Sequence, residues 1–85
     1  MKTVKVTFAA EYTPGLDTLF TYKTSDDFTP GDIAWTERNG EVSKVQVVSI
    51  DKEYDTKAEE RFGTLAEVYS MDSYPDQDIP RRARL

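Results

Sequence analysis

The chain has no cysteine and no histidine among its 85 residues. The first absence excludes a disulfide frame and any thiolate metal site. The second removes the commonest general base, proton shuttle and neutral metal ligand. A metal would have to be a hard cation on oxygen ligands, and no cofactor is expected. Long apolar runs are missing as well, since nothing approaches the roughly 20 residues that cross a bilayer. "MKTVKVTF" has neither a continuous apolar stretch nor a small-residue cleavage site, so it reads as a strand and not as a signal peptide. The expectation is a soluble, cytoplasmic protein with no membrane partner. A chain of this length forms one domain and buries only about 60–65% of its unfolded surface, so its core must be compact.

What is plentiful is acid. Sixteen Asp and Glu stand against 11 Lys and Arg, a net charge of −5. Residues 51–74 hold Asp51, Glu53, Asp55, Glu59, Glu60, Glu67 and Asp72 against only Lys52, Lys57 and Arg61, whereas the chain ends on Arg81, Arg82 and Arg84. An acidic body repels phosphate and argues against general nucleic-acid binding. The plain reading of the acids is solubility. The functional one is a face that meets a basic partner or imitates a nucleic-acid backbone.

Period-2 alternation organises the first fifty residues. In "KTVKVTF", Val4, Val6 and Phe8 share a face, and in "LFTYKT" Phe20 and Tyr22 do. "DIAWTE" places Ile33 and Trp35 inward. Pro14-Gly15 marks a turn. Pro30-Gly31 predicts one whose second central residue has positive φ, and Asn39-Gly40 predicts a tight hairpin of type I′. "EVSKVQVVSI" cannot keep one parity, because Val45 and Val47 agree while Val48 and Ile50 fall on the other side. A β-bulge or bend near Val47–Val48 reconciles them. "TKAEER" suits a loop or one helical turn. "TLAEVYSM" fits either a helix or a fifth strand, and its short length and its Val and Tyr favour the strand. "DSYPDQDIPRRARL" has two prolines and no periodicity, which predicts a mobile tail.

Five short strands joined by tight turns bury their apolar faces best by curling. The expected fold is therefore mainly all-β: a small five-stranded SH3-like barrel over residues 1–72 with a flexible tail over 73–85. The expected core is Val4, Val6, Phe8, Phe20, Tyr22, Ile33, Trp35, Val45, Val47 and Val68.

Over residues 4–50, on Phe20, Tyr22, Gly31, Ile33, Gly40, Val42 and Val45, the chain resembles two related patterns. One is the N-terminal DNA-binding domain of the primosomal replication-restart helicase. The other is a class of small tailed-bacteriophage proteins with an SH3-like barrel, which end in an acidic segment and a last strand. Thr21 stands where the helicase domain typically carries an aspartate that helps to bind a DNA 3′ end. The phage resemblance implies a stand-alone accessory protein in the cytoplasm of an infected bacterium.

Residues that could carry chemistry are few. Asp17, Asp26, Asp27 and Asp32 gather acids near turns, but they lack the spacing of a Ca²⁺ loop, and capping of turn amides explains them more simply. Ser43 and Lys44 are adjacent, and adjacent strand residues point to opposite faces, which disfavours a Ser-Lys dyad. No catalytic residue is expected. Phe8, Phe20, Tyr22 and Trp35 could stack on single-stranded nucleic acid, but such a set is more often the core of a small barrel. Tyr12, Tyr54 and Tyr74 fall in loops, where exposed aromatics serve protein contacts. The expected function is a non-enzymatic module that binds, and inhibits, a host protein through Tyr12, Asp26, Asp27, Glu53, Tyr54, Asp55, Glu59 and Glu60. The alternative is a nucleic-acid-binding accessory protein using Lys23, Arg38, Lys44, Arg81, Arg82 and Arg84.

Overall fold

The computed structural model describes residues 1–38 and 40–70. Four antiparallel strands come in chain order: β1 (Lys2–Thr7), β2 (Phe20–Thr24), β3 (Ile33–Arg38) and β4 (Glu41–Ile50). They pair in the order β2-β1-β4-β3, so β1 and β4 are central and β2 and β3 are edges. A short helix, α1 (Thr56–Phe62), follows. Where the sequence suggests a loop or one turn, Asp55 caps this helix by accepting a hydrogen bond from the Ala58 N–H at 3.0 Å.

The parity conflict in β4 is resolved by a bulge. Val6 pairs with Val47, but Val4 pairs with Ile50, so Val48 is an extra residue in β4. The extra residue puts Val47 and Ile50 on the same face and bends the longest strand, which curls the sheet into a half-barrel. Gly31 has a φ of 98°, and Asp32 donates its N–H to the Thr29 carbonyl at 3.0 Å, which is the expected Pro-Gly turn. Gly40 has a φ of 80°. Asn39, the other half of the predicted hairpin turn, lies outside the described residues.

The concave face buries Val4, Val6, Tyr22, Ala34, Val45, Val47 and Val68, with Phe8, Phe28 and Ile50 packed around them. Three core assignments need correction. Phe20 and Ile33 are substantially exposed, and Phe8 is only half-buried. Phe20 and Ile33 each begin an edge strand, where the sheet covers one flank only. Phe20 instead rests edge-on against Phe8, with ring centroids 5.3 Å apart. On β3 the inward residue is the small Ala34, which is fully buried; Trp35 points to the convex side, where Val42 and Tyr69 cover it. Ala58 and Leu65 are further buried residues that the alternation does not announce.

The segment 65–70, where the sequence favours a fifth strand, forms no strand and makes only isolated bridges, so the described sheet has four strands. One joins Glu67 to Lys23 of β2 and the other joins Tyr69 to Trp35 of β3. The segment thus spans from one edge of the sheet to the other. Lys23 donates to the Ala66 carbonyl and accepts from Val68, both at 2.9 Å; Trp35 and Tyr69 exchange bonds of 2.8 and 2.9 Å. Two buried threonines complete the grip. Thr24 Oγ1 donates to the Val68 carbonyl at 2.8 Å, and Thr36 Oγ1 to the Glu67 carbonyl at 3.0 Å. No helix among the described residues is long and apolar enough to cross a membrane. The predicted tail lies outside the described residues.

Candidate functional site

Convex-face residues of β1 are the foundation of the acidic face. Lys5 lies opposite Val4 and Val6 because side chains alternate along a strand. Its Nζ donates to Asp55 Oδ2 at 2.6 Å, to Asp51 Oδ2 at 3.0 Å and to Thr21 Oγ1 at 2.9 Å. Thr3, fully buried, donates to Asp51 Oδ2 at 2.7 Å and accepts from the Asp55 N–H at 3.0 Å. Two β1 residues therefore hold both ends of the loop 51–55 and, through the Asp55 cap, the start of α1.

Partial burial by itself lowers the Lys5 pKa, but hydrogen bonds to Asp55 and Asp51 and the charges of both carboxylates outweigh it and leave the ammonium above the usual lysine range. The bond from Lys5, helped by the Ala58 amide, holds the Asp55 carboxyl below the usual carboxylate range. Lys5, Thr3 and Asp51 are the residues sequence reasoning missed here. The available signal was a lysine between two inward valines, facing a chain that turns acidic directly after β4.

The loop and helix so fixed carry five of the eight predicted contact residues. Glu53, Tyr54 and Asp55 line a shallow concavity with Asp51, Thr56 and Lys57, and Glu59 and Glu60 project exposed from α1. The Tyr54 hydroxyl donates to Glu59, and this bond raises the phenol pKa above its ordinary value. Asp55 is taken up internally by Lys5 and the helix cap. The other three predicted residues lie elsewhere. Tyr12 sits beside the bulge, with Glu11, Gly31, Gln46, Val47 and Val48. Asp26 accepts from the Ser70 N–H at 2.8 Å, and Asp27 pairs with Lys2, which holds the Asp27 carboxyl below its usual range.

Turn capping accounts for the other loop acids. Asp17 accepts from the Thr13 N–H at 2.7 Å and Asp32 from the Thr29 N–H at 2.8 Å. Among the described residues, no three acids converge as a metal site would need. The predicted nucleic-acid contacts Lys23, Arg38 and Lys44 stand on three different strands. Lys23 is half-buried on edge strand β2, Lys44 is exposed on β4 opposite Trp35, and Arg38 ends β3. Arg81, Arg82 and Arg84 lie outside the described residues, as does Tyr74.

No protein-family model, curated protein or solved structure matches the chain.

Proposed function

We propose that the chain is a non-enzymatic binding module that docks a basic surface of a protein partner. The observation that carries this reading is the placement of Glu53, Tyr54, Glu59 and Glu60 on one anchored loop-and-helix surface. A partner meets that face already ordered, because Lys5 and Thr3 fix the loop from beneath. Fixed carboxylates steer a basic surface at long range, and prior ordering lowers the entropy cost of docking. In this proposal the segment 65–70 serves as the fifth strand of an SH3-like barrel. The resemblance to small tailed-phage proteins makes the partner a protein of the infected host, whose nucleic-acid site the carboxylates would occupy and inhibit.

Capture from host lysate with wild-type protein and with the Glu59→Lys, Glu60→Lys double variant tests this. A partner retained by the first and lost by the second is the expected result. A partner held equally by both would remove the acidic face from the account. The nucleic-acid alternative is read in a gel shift with short single-stranded and duplex DNA. Binding that collapses as salt rises would favour it, whereas no shift at low salt is expected from the scattered lysines.

A further inference from the structure

A second surface is built for a different shape of ligand. On its outer side, β2 is bonded over only half its length. Lys23 turns its N–H and C=O away from β1, toward Ala66 and Val68. In an antiparallel ladder the backbone groups alternate sides residue by residue, so those of Thr21 also face outward. The Thr3 carbonyl agrees with this phase, since it accepts from Asp51 on the β4 side. A parallel continuation of the 66–68 pairing would set Leu65 beside Thr21, with the Thr64 carbonyl and the Ala66 N–H as its partners. Instead the chain leaves α1 through Gly63 and diverges, and among the described residues the Thr21 N–H and C=O have no partner on that edge.

The divergence opens a groove of about 270 Å³ lined by Leu19, Phe20, Thr21, Tyr22, Phe62 and Leu65, with Thr64 and Ala66 completing the far wall. Two of its aromatic walls stand in solvent, Phe20 at 43% and Phe62 at 69% exposure. An unpaired strand edge beside an apolar slot offers main-chain hydrogen bonds for affinity and a side-chain pocket for selectivity. The geometry points to capture of an extended peptide segment by β-strand addition at Thr21, with one apolar side chain seated between Phe20, Phe62 and Leu65 and basic residues flanking it. A basic peptide is favoured by long-range steering only, because residues 1–70 carry the whole net charge of −5, while the cations against the groove are Arg61, over the Phe62 ring, and Lys5, on the Thr21 hydroxyl. A second copy of the chain fits poorly, since its own β2 edge is flanked by the same 64–66 wall. The inference rests on the protein-binding reading but uses a separate surface.

The probe is a set of alternating heptapeptides, Lys-Thr-Xaa-Thr-Xaa-Thr-Lys with Xaa as Val, Leu or Phe, titrated into the labelled full chain and followed by amide NMR shifts. At least one is expected to move the amides of Thr21, Phe62 and Thr64–Ala66. Glutamate-ended versions and versions N-methylated on the backbone should bind more weakly, by at least about tenfold for the latter. Thr21→Pro removes the outward N–H and no backbone bond to β1, and it also removes the hydroxyl that accepts from Lys5; an edge strand tolerates the substitution. This variant and Phe62→Ser should lose binding while the remaining spectrum stays native. The inference is overturned by any of three results: no member shifting those amides, binding that survives both variants, or the same amides shifting on concentration of the chain alone. If Thr21→Pro and Phe62→Ser abolish peptide binding while the Glu59/Glu60 variant keeps its lysate partner unchanged, the groove stands and the acidic-face reading falls.

Discussion

Two segments lie across this sheet, and they are held by opposite means. The loop 51–55 is fastened to the convex face by charge: a lysine, two aspartates and a buried threonine hydroxyl. The segment 65–70 is fastened to both sheet edges mainly by neutral bonds, backbone to backbone and threonine to carbonyl, with Val68 sunk into the core and one carboxylate bond, from the Ser70 N–H to Asp26, at its end. Neutral buried bonds are indifferent to pH and salt, whereas ion pairs at a half-exposed surface are screened and titrate. The same small fold thus has one attachment that solution conditions can loosen and one that, Asp26 aside, they leave alone.

The sharpest way to break the contrast is at Val68. Val68→Ala removes the only fully buried side chain of the closing segment and should cost about 2–3 kcal/mol in urea unfolding. An effect below about 1 kcal/mol would mean that the segment is draped over the sheet and contributes little to it. Thr36→Val keeps the shape and leaves the Glu67 carbonyl unsatisfied, for an expected loss of about 1–2 kcal/mol that does not change between low and high salt. A strong salt dependence in that variant would erase the distinction between the two attachments.

Lys5→Met should have the smallest effect near neutral pH, and its signature is the shape of the pH profile. The Asp55 carboxyl is lowered in the folded chain, so its contribution is present above the usual carboxylate range and is lost as pH falls through the depressed folded value. Lys5 is raised, so its contribution is present below the usual lysine range and is lost as pH rises through the raised value. Wild-type stability should therefore fall at both extremes, and Lys5→Met should flatten both limbs. Limbs that are unchanged in the variant would show that other groups set the pH response.

Alternation and turn chemistry made the four strands legible, and the parity clash at Val47–Val48 even located the bulge. Legibility failed where one flank is missing. Phe20 and Ile33 look like core by pattern, yet they start edge strands, while Ala34 is too small to stand out beside Trp35. The closing segment was ambiguous because its bonding is split between two strands, so no ladder of its own imposes a period. Helix α1 was better signalled than a reading of loop or one helical turn allowed: Asp55 precedes a run of good helix formers, "KAEER", which is an ordinary start signal. The acidic face was readable as composition, but Tyr12, Asp26 and Asp27 could not be separated from it without the topology. Nothing in the sequence alone marked the groove, since an open half-edge is a property of how the chain diverges after Gly63.

The clasp formed by 65–70 has a consequence for the order of folding. The segment grips β2 and β3, which are placed relative to each other only through β1 and β4, so its two ends can both close only on a formed sheet. The four-stranded sheet should appear first as an open, curled intermediate on the path, with fastening of the segment as the last event. Hydrogen exchange during refolding gives that event its own clock: the amides of Val68 and Tyr69 should become protected after those of β1 and β4.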